Sequence, residues 1–350
     1  MYNAFEENEI SINANGGTEI AKRSLAAIID PELQQHFQII SSRVRELDET
    51  KIRILHCHDL PEDPESAKFR DPKFHQLFHK FVFISDWQYN RYQLIHGIPY
   101  DTKSAVLETG IYVDPTYEGT PFPDLHIKSY EPQTRIVYTS TPQRGLHLLV
   151  EAFDRIAEKH PSAHLDVFSS FKIYGWEEAD KPFEPLFDRI RNHPQMTYHG
   201  VVPNNELQLH LKKSHIFAYP SIWLETSCRA MIEAAYNQLI CIHPNFGALA
   251  ETSGKMTRIY QGDFLNQPKH VDIMSRELDT VLNEFDKGNG YFYGNGDRYI
   301  DLVRQRYYMY NRYNIDKIKK QWEDVMRSLL DEYPTIQSRK FPSSMFTYKI

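Results

Sequence analysis

The sequence predicts an α/β protein that builds parallel β-sheets in two domains. Short apolar segments alternate with segments of helical periodicity, the order typical of parallel sheets covered by helices. Helical periodicity is found at residues 144–160 and 204–214. Buried strands are predicted at residues 53–60, 80–86, 135–141, 164–170, 215–221 and 238–244. A chain of 350 residues exceeds the usual size of one domain, so we expect two.

The boundary between the two domains is predicted at residues 113–133. This segment contains four prolines and shows no periodicity, as expected of a linker. We therefore expect an N-terminal domain over residues 1–129 and a second domain over residues 130–313.

Charge and composition exclude several classes of protein. A formal net charge of -7 and a pI near 6.1 argue against a general polyanion-binding protein. Cys57, Cys228 and Cys241 form no C-x-x-C pair, and the acidic first residues lack the apolar core of a signal peptide. No apolar run reaches the ~18 residues of a membrane span. The sequence predicts a cytoplasmic protein without an integral membrane segment.

The segment "SIWLETSCRAMIEAA" places Glu225 and Glu233 eight residues apart, across a loop and the start of a helix. The loop follows a predicted strand, and open α/β sheets bind ligands at the carboxyl ends of their strands. Unpaired N–H groups at a helix start suit a phosphate, to which Thr226 and Ser227 could add hydroxyl donors. Glu233 could accept hydrogen bonds from ribose hydroxyls, and Glu225 could hold a sugar hydroxyl. An equally well supported alternative is that Thr226 or Ser227 is an ordinary helix cap and that both glutamates are solvated.

Two histidines alternate along one predicted strand. His56 and His58 share a strand face, and the H-x-H spacing also suits metal ligands. A metal-dependent hydrolase is therefore a competing interpretation, with His199, His215 and His243 as scattered candidates for further ligands. His58 lies nearer the end of the strand and is the better candidate for an active site, whereas His56 is expected to be packed and structural.

Arg144 and a pair of glycines complete the candidate residues. Gly16 and Gly17 precede a predicted helix and would let the backbone approach a phosphate or sugar closely, although a simple tight turn also explains them. Arg144 lies between a strand and a helix. Its planar, permanently charged guanidinium suits a departing diphosphate, and the alternative is a solvated helix cap.

Several segments within residues 13–255 resemble segments of glycosyltransferases and occur in the same order along the chain. "SIWLETSCRAMIEAA" resembles the E-x7-E motif of retaining GT-B glycosyltransferases, particularly glycosyltransferase family 4. The other matching segments are "NANGGTE", "ILHCHD", "VLETGIYVD", "RIVYTSTPQRGLHLLVEAF", "MTYHGVVPNNELQLHLKKSHIFAYPS" and "LICIHPNFGALAE". Arg144 stands at the position of the family's lysine, and "YTST" stands where the family has an arginine. Thr226 and Cys228 replace the family's proline and glycine.

The resemblance implies a GT-B fold, in which two Rossmann-like, doubly wound parallel-sheet domains face a central cleft. It assigns residues 1–129 to the acceptor side, with a C-terminal helix within 314–350 packing back on that domain. Residues 130–313 would bind the nucleotide-sugar donor. The implied reaction is the transfer of a hexosyl or pentosyl group from a nucleotide-diphosphate sugar, with retention of anomeric configuration.

The resemblance also implies roles for particular residues. His58, Arg144 and Glu225 would be catalytic. The donor would be bound by Arg144 and by Gly16, Gly17, Gly200, Val202, Thr226, Ser227, Cys228 and Glu233. No metal and no cofactor is expected, because cationic groups would take the role of a divalent cation. The resemblance does not decide whether the acceptor is a saccharide, a glycolipid, a protein or a modified nucleobase. A nucleotide-sugar-binding protein without transfer is the other alternative.

Overall fold

The chain forms two compact units. The computed structural model describes Ala4 and residues 16–113, 133–286 and 297–341. The first unit combines residues 1–112 with residues 313–350, and the second comprises residues 113–312. Of the predicted linker, residues 114–132 lie outside the described residues.

The first unit contains a four-stranded parallel sheet of order β1-β2-β3-β4. Its strands are β1 (Phe37–Ser41), β2 (Ile52–Cys57), β3 (Lys80–Phe83) and β4 (Ser104–Val106). Its helices in the described part are α1 (Gly17–Ile28), α2 (Pro31–Gln34), α3 (Pro72–His75), α4 (Asp86–His96), α12 (Ile315–Glu332) and α13 (Ile336–Arg339).

The core of the first unit lies on both faces of this sheet. Every residue of β2 is buried, including Arg53 and His56, so its sequence lacks the alternation of apolar and polar residues that a half-exposed strand shows. Helix α12 turns one face toward the same core, with Ile318, Trp322, Met326 and Leu329 packed in a cluster that includes residues of β1 and β2. These four residues recur at the three- and four-residue spacing of one helical face.

The second unit contains a six-stranded parallel sheet of order β10-β9-β8-β5-β6-β7. Its strands are β5 (Thr134–Thr139), β6 (Ala163–Phe168), β7 (Met196–Tyr198), β8 (Ile216–Ala218), β9 (Ile240–Pro244) and β10 (Arg258–Tyr260). Its helices are α5 (Leu146–Ala157), α6 (Glu184–Arg191), α7 (Asn204–Lys213), α8 (Arg229–Tyr236), α9 (Leu249–Thr252), α10 (Gln267–Asp286) and α11 (Asp297–Tyr313), whose last residue belongs to the first unit. This strand order is that of a doubly wound sheet, and it reverses between β5 and β8.

The prediction of an α/β protein with parallel sheets is confirmed. All six predicted strands are present, as β2, β3, β5, β6, β8 and β9, and the two segments of helical periodicity form α5 and α7. The sequence did not predict β1, β4, β7 or β10. Three of these have only three residues, which is too short for a periodic pattern to be recognised.

The three cysteines are buried and free. Within the described residues, no helix combines the length and the apolar character that crossing a membrane requires. The cytoplasmic location stays a prediction.

Candidate functional site

The loops after β5 and β8 leave the sheet of the second unit at its switch point. Neighbouring parallel strands end at the same edge of a sheet, and the crevice beside a reversal of strand order is where such sheets bind ligands. The loop after β5 carries Arg144, and the loop after β8 carries Glu225. The fold therefore brings together two predicted site residues that are 81 positions apart in the sequence.

Arg144 and Glu225 form an ion pair in which Glu225 is buried and Arg144 is partly exposed. Nη1 of Arg144 donates to Oε1 and to Oε2 of Glu225, at 2.8 Å each. The side chains are 23% and 5% exposed, respectively. The hydroxyl of Tyr219 donates to the same Oε1 at 2.6 Å. The sequence analysis did not identify Tyr219 as a site residue, because it lies within a predicted buried strand and resembles the other apolar residues of that strand.

The guanidinium of Arg144 has one nitrogen left for a ligand. Burial disfavours its charge, but Glu225 and Tyr219 outweigh this effect and hold the pKa of Arg144 above its usual value. Nη1 is used by Glu225, and Nε is buried with no hydrogen-bond partner among the described residues. Nη2 therefore remains, beside the half-exposed indole ring of Trp223, whose centroid lies 5.8 Å from the guanidinium carbon.

Two glycines allow the loops around this ion pair to approach each other. Gly145 has a φ of +116°, and a Cβ there would lie 2.2 Å from the carbonyl oxygen of Pro220. Gly247, after β9, has a φ of +60°, and its Cβ would lie 2.7 Å from both N and O of Glu225. The next N–H, of Ala248, donates to the carbonyl of Glu225 at 2.8 Å. Glycine is required at both positions because the conformation and the space exclude a side chain.

The helix in the E-x7-E segment begins beyond both candidate cap residues, Thr226 and Ser227. Helix α8 starts at Arg229, and Cys228 is its N-cap residue, without a side-chain capping bond. The prediction that Thr226 or Ser227 caps the helix is therefore wrong. Both lie in the preceding loop because Cys228, with φ −134° and ψ 90°, is still outside the helical conformation.

Both glutamates of the motif are buried, so the alternative that they are solvated is wrong. Glu233 lies one turn into α8, and its Oε1 is 2.8 Å from Nε of Arg229. The two side chains are less than a tenth exposed. The carboxylate expected to hold a ribose thus has an arginine partner on its own helix.

The loop after β7 contains the predicted residues Gly200 and Val202. Gly200 has a φ of +66°, and Val202 is half-buried just before α7. The preceding residue, His199, anchors this loop. Its ring stacks on Phe168 with centroids 4.3 Å apart, and its Nε2 lies 2.8 Å from Oδ1 of the buried Asp166.

In the first unit, Gly16 and Gly17 lie at the start of α1. Gly16 is the N-cap residue and Gly17 is the first helical residue. No atom would lie within 4 Å of a Cβ at Gly17, so crowding within the described chain does not require a glycine there.

His56 and His58 contact each other at the end of β2. Nε2 of His58 lies 3.2 Å from Nδ1 of His56, and the His56 ring packs edge-on against Trp322 at 5.0 Å. His56 is packed, as the sequence predicts, and His58 is also buried. Burial and the charge of Lys22 lower the pKa of His58 to about 3, so this imidazole is neutral at neutral pH.

The hydrolase alternative lacks a set of metal ligands in the part of the chain that the structure describes. No three His, Cys, Asp or Glu side chains there are grouped so that they could hold a metal ion. The scattered candidates have other partners: His199 bonds Asp166, His215 accepts from the N–H of Arg135, and His243 bonds Thr257.

Comparisons with known proteins agree with this architecture. No curated protein shows significant sequence similarity to the chain. Residues 123–286 match the family model described as "Glycosyl transferases group 1". This segment includes the loops that carry Arg144 and Glu225.

Solved structures with the same fold have low sequence identity. The pneumococcal O-GlcNAc transferase GtfA, in complex with UDP and GlcNAc, has a TM-score of 0.61 and 11% identity over 89% of this chain, which spans only 60% of that protein. A glycosyltransferase from Rickettsia africae has a TM-score of 0.61 and 15% identity, over 93% of this chain and 84% of the other. Anabaena HepE, in complex with UDP-glucose, has a TM-score of 0.56 and 12% identity, over 89% of this chain and 82% of the other.

These similarities and the two parallel sheets establish the GT-B fold, and residues 123–286 are similar to group 1 glycosyl transferases.

Proposed function

We propose that this protein is a retaining glycosyltransferase, which transfers a hexosyl or pentosyl group from a nucleotide-diphosphate sugar to an acceptor. The observation that carries the proposal is the Arg144–Glu225 pair at the switch point of the second sheet, next to the start of α8. Residues 130–313 would bind the donor. Residues 1–129, with the C-terminal helix, would form the acceptor side. UDP is the first nucleotide to test, because similar folds have been solved with UDP or UDP-glucose.

The chemistry requires stabilisation of a departing diphosphate. As the bond from the anomeric carbon to the phosphate oxygen breaks, negative charge accumulates on the leaving group. Nη2 of Arg144 and the N–H groups at the start of α8 are the groups that would meet it. The acceptor oxygen then bonds to the anomeric carbon, and its hydroxyl proton passes to an oxygen of the departing diphosphate.

We propose that these groups make a divalent metal unnecessary. In excess chelator, UDP at 100 times its dissociation constant should stabilise the protein by ~2.7 kcal/mol, measured by thermal unfolding. Transfer from UDP-sugars should also persist in chelator, and NMR of the product should show the anomeric configuration of the donor. Activity that disappears in chelator and returns with magnesium would contradict the metal-independent site. UDP binding without transfer to any acceptor class would favour the nucleotide-sugar-binding alternative.

Arg144 should contribute mainly to the transfer step. Arg144→Ala should lower the single-turnover rate by ~10²-fold, comparable with the loss of one preorganised oxyanion donor. Arg144→Lys keeps the charge but has one nitrogen to divide between Glu225 and the diphosphate, so its rate should fall between wild type and Arg144→Ala. Arg155→Ala is the matched control, because Arg155 lies on α5 with exposed partners. Wild-type turnover by Arg144→Ala would assign the phosphate contact to another cation, with Arg229 examined next.

Glu233 should hold the ribose of the donor. Glu233→Ala should weaken UDP binding by ~1–3 kcal/mol, the cost of hydrogen bonds to a charged acceptor. Because this change also removes the partner of Arg229, titration calorimetry should compare UDP with 2′-deoxy-UDP. Wild type should bind the deoxynucleotide less tightly, and Glu233→Ala should no longer distinguish the two. An equal preference in both proteins would show that Glu233 does not contact the 2′-hydroxyl.

His58 should act on the transfer step as a neutral group. His58→Asn should lower kcat by ~10²–10⁴-fold, with donor affinity and unfolding temperature retained. Since the pKa of His58 is about 3, its charge does not change between about pH 5 and 8, and the wild-type rate should show no step from this imidazole there. Normal turnover by a folded His58→Asn protein would leave His58 with a structural role only.

A further inference from the structure

We propose that Tyr219 is a positioning residue of the diphosphate site, whose hydroxyl orients Glu225 so that Arg144 presents Nη2 to the diphosphate. The inference rests on the proposed function and adds a residue to it. Tyr219 is not expected to touch the donor, because it is fully buried and acts through the carboxylate of Glu225.

The backbone and the ring of Tyr219 are held by the sheet. Its N–H donates to the carbonyl of Ile242 at 2.9 Å, which extends the pairing of β8 with β9 by one residue. Its ring lies 5.5 Å from that of Phe217 and 5.7 Å from that of Tyr138. The Tyr219 hydroxyl is thus held by the sheet, whereas the Glu225 carboxylate to which it donates lies in a loop.

The hydroxyl selects one arrangement of the ion pair. An arginine usually meets a carboxylate with two nitrogens, one for each oxygen. Here Nη1 alone reaches both oxygens of Glu225, while Oε1 also accepts from Tyr219. Three hydrogen bonds therefore fix the carboxylate: two from Nη1 and one from the Tyr219 hydroxyl. A second guanidinium nitrogen does not bond to it. Without the hydroxyl, the carboxylate can rotate about the side-chain bonds of Glu225 and accept a hydrogen bond from Nη2 as well.

Two further observations support a donor role for this hydroxyl. Oγ of Ser140 lies 3.4 Å from it and can orient it. Burial, and secondly the charge of Glu225, raise the pKa of Tyr219 well above its usual value. Tyr219 therefore keeps its proton throughout the working range of pH.

Tyr138 provides a matched control. It is also fully buried, it contacts the Tyr219 ring, and its hydroxyl donates to the carbonyl of Thr141 at 2.9 Å rather than to Glu225. Tyr219→Phe and Tyr138→Phe each remove one oxygen atom from the same layer of the core. Only the first change removes a partner of the ion pair.

The test compares a ligand that carries phosphates with one that does not. Titration calorimetry should show that Tyr219→Phe binds UDP roughly tenfold more weakly than wild type, the scale of a hydrogen bond to a charged group, and binds uridine equally well. Tyr138→Phe should match wild type with both ligands. In the Arg144→Ala background, Tyr219→Phe should cause no further loss for UDP, because the two residues act through one pair.

Three results would overturn the inference: unchanged UDP affinity in Tyr219→Phe, equal weakening of UDP and uridine, or an undiminished effect in the Arg144→Ala background. If Tyr219→Phe does not fold, Ser140→Ala replaces it and should weaken UDP but not uridine, in the same direction and by less. A failure of the proposed function looks different. Wild type would then bind no nucleoside diphosphate, and both proposals would be withdrawn.

Discussion

The candidate site depends on how closely two loops approach at the switch point of the second sheet. The carbonyl of Pro220 occupies the space that a side chain at position 145 would need, and the backbone of Glu225 occupies the space beside Gly247. A buried ion pair offsets the cost of removing two charges from water only when its geometry is good. The two glycines make this geometry accessible, because they let the loops after β5 and β9 close around the loop after β8.

The sequence predicted the framework well because its signals are local. Strand β8 is buried and has a continuous apolar run, and the loops that carry Arg144 and Glu225 each follow a predicted strand. The ion pair between Arg144 and Glu225 was not predicted, because its partners are 81 residues apart and their contact depends on strand order. The alternative that Thr226 or Ser227 caps α8 was wrong. Thr226 and Ser227 have the better capping propensity, yet Cys228 is the N-cap residue in the folded chain.

In the first unit, periodicity correctly placed His56 and His58 on one face of a strand. It gave no information about their ionisation, which depends on surroundings contributed by other parts of the chain. Trp322 from α12 packs against His56, and the charge of Lys22 from α1 acts on His58. Both effects require tertiary structure, so a sequence pattern that suits metal ligands belongs here to two packed imidazoles that contact each other.

The charges of the second unit's candidate site are already balanced before a donor arrives. Arg144 is paired with Glu225, and Arg229 with Glu233, so the two motif glutamates neutralise two arginines. A diphosphate brought to such a site meets little net positive charge, and its binding must rely on directed donors: the N–H groups at the start of α8 and one guanidinium nitrogen. Orientation then matters more than the number of cations. This explains physically why a carboxylate beside the principal arginine is compatible with phosphate chemistry, provided that the carboxylate is held to one nitrogen and leaves the other available.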